Sequence, residues 1–193
     1  MTIRNTIRFL LNNEEVELGD VAPSDTLLDH LRLRARLMGT KEGCAEGDCG
    51  ACTIAVRTKD HSSDAPSSWR SVCACILPLA QLADHDIVTV EGVATPGARP
   101  TQAPTLHPAQ QAMVDTLGSQ CGYCTPGVVM SLFEATYRED ISGRAAKDDQ
   151  LSGNLCRCTG YRPIQDALER VAGSRPDDRF TEATQGAPAA LSS

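Results

Sequence analysis

Nine cysteines dominate the chemistry that this 193-residue sequence could perform. They fall into two groups, with five in the first half of the chain and four in the second: Cys44, Cys49, Cys52, Cys73 and Cys75, then Cys121, Cys124, Cys156 and Cys158. Thiolates bind zinc and iron–sulfur clusters, and thiols also pair as disulfides. Residues 1–8 contain no apolar stretch typical of a secretory signal, so we expect a reducing, cytoplasmic location where disulfides are rare. The odd number of cysteines also argues against a closed disulfide set.

Three cysteines of the first group share one short loop with the spacing C-x4-C-x2-C, in the run GCAEGDCGAC at 43–52. That spacing, followed by a distant cysteine, is typical of a plant-type 2Fe–2S cluster. Glycines let such a loop fold closely around a cluster and point its N–H groups at sulfur. A structural zinc site would favour paired C-x2-C turns, so we favour iron–sulfur. Spacing leaves the fourth ligand open between Cys73 and Cys75, which would share one face of a strand.

The second group has the spacing C-x2-C-x31-C-x-C, which is neither the plant-type pattern nor a usual zinc pattern. The C-x-C pair requires a sharp turn, and Thr125-Pro126 after the first pair predicts the start of a helix. Helix N-termini stabilise thiolates, so a cluster is plausible chemistry there. The alternatives are zinc or two redox-active thiol pairs. Cys121 and Cys124 with Pro126 resemble a thioredoxin motif locally, but no βαβ pattern surrounds them.

The elements around the first group are predicted to be mixed α/β. Asn12-Asn13 separates two apolar-alternating runs, which indicates a hairpin of 6–11 with 15–18. Residues 26–36 have leucines at helical spacing, and β-branched residues predict strands at 53–57 and 87–90. Residues 61–68 are predicted to be a polar loop.

The second half is predicted to be all-α, with helices at 108–118, 125–137 and 163–172 and a short fourth at 145–151. His107 is predicted to cap the first of them. The run 93–104 is rich in proline and glycine and indicates a connector between domains 1–92 and 105–173. The segment 174–193 is predicted to be a flexible tail or linker.

Charge and composition exclude several classes of protein. The net charge is −7 with no basic stripe, which argues against nucleic-acid binding. No apolar run is long enough to span a membrane. There is no glycine-rich dinucleotide fingerprint and no Ser/His/Asp nucleophile set, so the sequence predicts neither a dinucleotide site nor a nucleophilic catalytic site of its own. The hypotheses left open are a freestanding ferredoxin, a zinc-stabilised interaction module, or the N-terminal piece of a longer polypeptide.

Three stretches of the sequence resemble the two cluster motifs of the molybdenum hydroxylases. Residues 39–53 resemble the first motif, and residues 118–127 with 153–161 resemble the second. The segments 90–92 and 106–110 match the region between them. The form Gly47-Asp48-Cys49-Gly50 is most similar to that of xanthine dehydrogenases, within a family that also oxidises aldehydes, carbon monoxide and N-heterocycles.

This resemblance implies an α+β fold in which a ferredoxin-like β-grasp domain precedes a four-helix bundle, each with one 2Fe–2S cluster. Alignment with the family, including the distance to Val90-Glu91-Gly92, selects Cys75 as the fourth ligand of the first cluster. The implied ligands are Cys44, Cys49, Cys52 and Cys75 for the first cluster, and Cys121, Cys124, Cys156 and Cys158 for the second.

The resemblance also implies a place in a larger oxidoreductase. Electrons would leave a molybdopterin site on a large subunit, cross both clusters, and reach FAD on another subunit, domain or C-terminal extension. The similarity to xanthine dehydrogenases implies NAD as the final electron acceptor. It also implies oxidation of xanthine or hypoxanthine, in purine catabolism, by a dimeric complex. Gln120 and Cys158 match the positions that lie against the pterin.

Overall fold

The first elements of the chain form a hairpin. A computed structural model describes residues 6–58, 68–99 and 101–185. Strand β1, Thr6–Leu11, pairs antiparallel with β2, Glu14–Gly19. Asn12 and Asn13 have φ angles of 53° and 71°, which suits the left-handed two-residue turn that such a hairpin needs. The predicted hairpin is confirmed.

Three further strands follow: β3, Thr53–Thr58, β4, Ser68–Cys73, and β5, Asp86–Val88. The five strands make one sheet in the order β2-β1-β5-β3-β4. Strands β1 and β5 are parallel, and the other neighbours are antiparallel. The sequence analysis did not predict β4, whose first residue lies at the end of the predicted polar loop; the rest of that loop lies outside the described residues.

The predicted helix at 26–36 is shorter than expected and changes type. Helix α1 covers Leu27–Asp29 and continues as a π-helical turn over His30–Arg34. Leu27 and Leu31 are fully buried against the sheet. Two 3₁₀ turns, Ala74–Ile76 and Leu79–Leu82, follow β4 and lead to β5.

All four helices predicted for the second half are present. They are α2, Pro108–Asp115, α3, Thr125–Tyr137, α4, Gly143–Leu151, and α5, Arg162–Val171. The His107 side chain accepts a hydrogen bond from Ala109 N, so the predicted cap is confirmed. Helix α3 is buried from 127 to 136 because it packs on the sheet and on the neighbouring helices.

The sheet and the helices share an aromatic core rather than forming separate bodies. The Trp69 ring on β4 meets the Phe133 ring on α3 edge to face, with centroids 5.4 Å apart. The buried Glu134 carboxylate accepts a hydrogen bond from Ser71 N at 3.0 Å. These contacts fix the second half of the chain against the sheet.

The prediction of a flexible tail from residue 174 is wrong for the residues that the structure describes. Helix α6, Arg179–Gln185, lies over the core, and its Phe180 side chain is buried. Trp69 Nε1 donates to Phe180 O at 3.2 Å, and Tyr137 Oη donates to Asp178 Oδ2 at 2.7 Å. Tertiary contacts therefore order a segment whose composition alone resembles a linker. Residues 186–193 lie outside the described residues.

Candidate metal centres

The loop that carries Cys44 and Cys49 has no regular secondary structure and directs its amides at sulfur. Cys44 Sγ accepts hydrogen bonds from the backbone N–H groups of Glu46, Asp48 and Cys49 at 3.5, 3.3 and 3.4 Å. Cys44 N in turn donates to Cys49 Sγ at 3.3 Å. These amides, with that of Glu46 first, lower the pKa of Cys44 to about 7. A sulfur with three N–H donors is suited to be a thiolate, which is the form that binds metal.

Glycine at position 43 permits this geometry. A Cβ atom there would lie 2.6 Å from Cys49 Sγ, which is closer than real Cβ atoms approach sulfur. Any side chain at this position would therefore displace the Cys49 thiol.

The remaining thiols of the first group meet at Cys52, which is buried. Strand β4 ends at Cys73 and Cys75 lies in the following 3₁₀ turn, so the two are not on one strand face as expected from spacing. Both thiols nevertheless hydrogen-bond to Cys52. Hydrogen bonding from Cys52 lowers the pKa of Cys73, whereas burial raises the pKa of Cys75 to about 12.

Gly47 distinguishes the two neighbours of Cys52. Cys73 Sγ faces the Gly47 carbonyl, to which it donates at 3.5 Å. Cys75 sulfur instead accepts from the Gly47 backbone N–H. Cys73 also accepts, from the Cys52 thiol, so the two sulfurs differ in the Gly47 group that each meets: the carbonyl for Cys73 and the N–H for Cys75.

The second group lies where two helices begin. Cys124 is the N-cap residue of α3, and Cys156 and Cys158 lie on the turn before α5. The thiols hydrogen-bond across the two segments, Cys121 with Cys158 and Cys124 with Cys156. Cys121 and Cys158 are exposed, whereas the other pair is half-buried.

The two half-buried thiols differ in their surroundings. Burial, followed by the neighbouring Cys156 thiol, raises the pKa of Cys124 to about 12. Burial also acts to raise the pKa of Cys156, but hydrogen bonds from Thr159 outweigh it and lower that pKa. Cys156 Sγ lies 3.2 Å from Thr159 Oγ1.

At both centres the thiols therefore lie in hydrogen-bonded pairs. A 2Fe–2S cluster takes four cysteine ligands, two on each iron, and both sets offer two adjacent pairs. Across the described ranges, no three His, Cys, Asp or Glu side chains are grouped so that they could hold one metal ion. The donor set and its pairing fit a two-iron cluster at each centre.

Gln120 lies at the exposed edge of the second group. It precedes Cys121, whose thiol meets Cys158, so the structure brings both residues that the resemblance assigned to the pterin to one edge. Within the described part of the chain, the Gln120 amide has no hydrogen-bond partner and does not cap the turn.

The sequence analysis did not foresee that the two cysteine loops touch. Leu155 N donates to Cys49 O at 3.0 Å, and Tyr123 Oη donates to Glu42 O. Asn154, which is buried, donates to Gly50 O. No local pattern signals contacts between residues about 100 positions apart, although the Gly153-Asn154-Leu155 run was part of the resemblance.

Comparisons with known proteins agree with this arrangement. Two family models match: a 2Fe–2S iron–sulfur cluster binding domain over 9–80 and a [2Fe–2S] binding domain over 89–169. Xanthine dehydrogenase of Emericella nidulans is 43% identical over 165 residues, 86% of this chain and 11% of that protein. Aldehyde oxidase 1 of Cavia porcellus is 41% identical over 163 residues, 84% of this chain and 12% of that protein. The chain thus spans only about a tenth of the length of these relatives.

Solved structures show the same similarity. Aldehyde oxidoreductase from Desulfovibrio gigas superposes with a TM-score of 0.72 at 32% identity, covering 95% of this chain and 19% of that one. Quinoline 2-oxidoreductase from Pseudomonas putida superposes with a TM-score of 0.68 at 29% identity, covering 93% of this chain and 94% of that one.

The fold and the matches define an iron–sulfur protein with two 2Fe–2S binding domains. The chain belongs to the iron–sulfur part of the molybdenum hydroxylase family, with relatives among the xanthine dehydrogenases and aldehyde oxidases. The resemblance predicted from the cysteine motifs is confirmed. In the described part of the chain, no helix has the length and apolar character needed to cross a membrane.

Proposed function

We propose that this chain carries electrons inside a molybdenum hydroxylase, from a molybdopterin site through two 2Fe–2S clusters to FAD and then NAD. The observation that carries the proposal is the presence of two complete four-thiol sets within one continuous fold. When bound, each cluster supplies reversible one-electron transfer, which divides a two-electron oxidation into single steps. The chain itself holds the thiols, directs amides at them, and fixes the two sets against each other.

For the first cluster we propose Cys44, Cys49, Cys52 and Cys75 as ligands. The amides around Cys44 support its role as a thiolate. The choice of Cys75 over Cys73 is supported by Gly47, whose N–H points at Cys75 and whose carbonyl accepts from Cys73.

For the second cluster we propose Cys121, Cys124, Cys156 and Cys158. The start of α3 at Cys124 supports this assignment, because the free N–H groups and positive end of a helix favour a thiolate and so oppose the burial that raises the pKa of Cys124. Two of these thiols are exposed, so a partner can approach this centre without unfolding the chain.

We propose that the exposed edge at Gln120 and Cys158 receives the molybdopterin. An amide with two N–H donors and one acceptor, none of them used within the described chain, can hydrogen-bond the edge of a heteroaromatic ring. Gln120→Ala is expected to leave both clusters assembled, slow their reduction by substrate, and weaken docking of the molybdenum subunit. Reduction at the wild-type rate with unchanged docking would remove Gln120 from this role.

The proposed architecture is a β-grasp domain over 1–92, a connector over 93–104 and a helical-bundle domain over 105–173. The partners are a molybdopterin-binding large subunit and an FAD-binding subunit or domain, in a dimeric complex. The proposed location is cytoplasmic, because a reducing compartment keeps cysteines available as thiolate ligands.

The proposed substrates are xanthine and hypoxanthine, in purine catabolism. The Gly47-Asp48-Cys49-Gly50 sequence and the relatives named xanthine dehydrogenase support this choice. Relatives named for aldehydes and quinoline supply the competing substrates. Measuring turnover of each candidate substrate by the reassembled complex distinguishes these substrates. The isolated chain is expected neither to oxidise any of them nor to reduce NAD.

Metal analysis tests the proposal directly. Each chain should contain four iron and four labile sulfide, and two paramagnetic signals should appear on reduction. Stoichiometric zinc in a colourless protein would instead identify an interaction module, and two iron per chain would leave only one cluster.

A further inference from the structure

A backbone hydrogen bond joins a proposed ligand of the first cysteine set to the residue that precedes a proposed ligand of the second. Leu155 N donates to Cys49 O at 3.0 Å, and Leu155 is bonded to Cys156. One hydrogen bond therefore completes a connection along the backbone from Cys49 to Cys156. A second hydrogen bond between these loops, from Tyr123 Oη to Glu42 O, lies at the exposed rim.

We call the contact between Cys49 O and Leu155 N the joint between the two cysteine loops. Asn154 stabilises this joint with both polar atoms of its side-chain amide. Its Nδ2 donates to Gly50 O at 3.1 Å and to Thr53 Oγ1 at 3.2 Å. Its Oδ1 accepts from the Ser131 hydroxyl on α3. The residue is only 4% exposed, and a fully satisfied buried amide holds one orientation because any rotation would leave polar groups unpaired.

Close backbone packing leaves this joint little freedom. A Cβ atom on Gly50 would lie 2.1 Å from Gly153 O, and one on Gly127 would lie 2.0 Å from Gly50 O. Gly50 lies between Cys49 and Cys52 in sequence, and Gly127 is in the first turn of the helix that Cys124 caps. Asn154 thus ties the first cysteine loop, the turn before Cys156 and the middle of α3 together.

We propose that Asn154 is the positioning residue for electron transfer between the two clusters. It keeps the Cys49 carbonyl against the Leu155 amide without contacting either set of thiols. In this way it sets the electronic coupling between the two clusters. This inference rests on the proposed function, because it requires both clusters to be present.

Asn154→Ala in the full chain tests the proposal, with Tyr123→Phe as the matched control. Tyr123→Phe also removes a hydrogen bond between the two loops, but at the rim. In Asn154→Ala we expect full iron content and loss of the magnetic splitting between the two reduced clusters, measured by low-temperature electron paramagnetic resonance. Hydrogen exchange in the peptide that contains the Leu155 amide should become about tenfold faster, as for the loss of one buried hydrogen bond. Tyr123→Phe should change neither.

A second variant guards against a failure of Asn154→Ala to assemble. Ser131→Ala keeps both donors toward the first loop but frees Asn154 from α3, so we expect a reduced splitting. Wild-type splitting and exchange in Asn154→Ala would overturn the proposal, as would loss of both clusters in both variants, since Asn154 would then serve the fold as a whole. A wild-type chain without four iron would contradict the proposed function instead, while the exchange measurement would still report whether Asn154 holds the joint.

Discussion

The two centres prepare thiols for metal in different ways. The first uses an irregular loop that directs three amides at Cys44, and its Cys52 and Cys75 side chains are buried. The second uses helix starts and leaves Cys121 and Cys158 exposed. The sheet-side centre therefore depends on close packing of its own chain, whereas the helix-side centre keeps an accessible edge. One chain thus combines a protected site with a site open to a partner.

The largest expected effect tests whether the two centres assemble independently. Cys52→Ser and Cys158→Ser should each remove about half of the iron, because each deletes one ligand of one cluster. The paramagnetic signal of the other centre should persist in each variant. Iron analysis and spectra of the reduced proteins make the measurement. Loss of both signals from either change would mean that the centres assemble as one unit.

The next largest effect is expected from substituting the fourth ligand of the first, sheet-side cluster. Cys75→Ser should destroy or reshape the first cluster, while Cys73→Ser should leave it intact, because the Gly47 N–H points at Cys75. The Cys73 thiol also lies against Cys52, so the spectrum of Cys75→Ser shows whether it can substitute. If Cys73→Ser instead loses half of the iron, the two thiols have exchanged roles.

Glycines in the two cysteine loops sharpen the comparison of packing. Gly50 and Gly160 have nearly equal φ angles of 67° and 66°, but a Cβ on Gly50 meets Gly153 O at 2.1 Å and one on Gly160 meets nothing within 4 Å. Gly160→Ala should cost about 1–2 kcal/mol for the left-handed backbone alone. Gly50→Ala should cost about 3 kcal/mol or more, because steric overlap adds to that strain.

Thermal unfolding at one scan rate measures this difference. The midpoint should fall by about 2–4 °C for each kcal/mol lost in a chain of this size. Equal shifts for the two glycines would show that the contact at Gly50 relaxes freely, and that the sheet-side loop is no more tightly packed than the other.

The smallest effect concerns acid stability in the helical half. Burial lowers the pKa of His107 to about 4, against a smaller opposing influence of Asp178. The unfolded chain binds a proton near pH 6.5 that the folded chain excludes, so stability is complete above that pH and falls as the solution is acidified toward pH 4. From pH 7 to pH 5 the loss should be about 2 kcal/mol. Protonation would also place a proton on Nδ1, which accepts from Ala109 N.

His107→Asn should flatten this dependence, because asparagine can cap α2 without titrating. The midpoint of unfolding measured from pH 7 to pH 5, with iron content monitored, provides the test. His30 is the counterpart on the sheet side, where burial and then Arg34 also lower its pKa. His30→Asn should flatten the pH dependence less; an unchanged slope in His107→Asn would assign the acid sensitivity elsewhere.

Local signals in the sequence determined the hairpin, the four helices of the second half and the cap at His107. Asn12-Asn13, Pro108 and Pro126 act through their own backbone preferences, so their consequences do not depend on distant residues. Cysteine spacing likewise predicted two metal centres, and the family motifs were confirmed by the comparisons. The individual ligand assignments stay predictions.

Tertiary structure alone decided the features that depend on distant partners. Strand β4 forms because it pairs with β3 and buries Trp69, and α6 is ordered because Trp69 and Tyr137 hold the segment around it. The joint between Cys49 and Leu155 spans about 100 residues and depends on the exact approach of two glycine backbones. Sequence composition measures the preferences of a segment by itself. It does not measure burial against another segment, and that burial orders α6 and brings the two cysteine loops into contact.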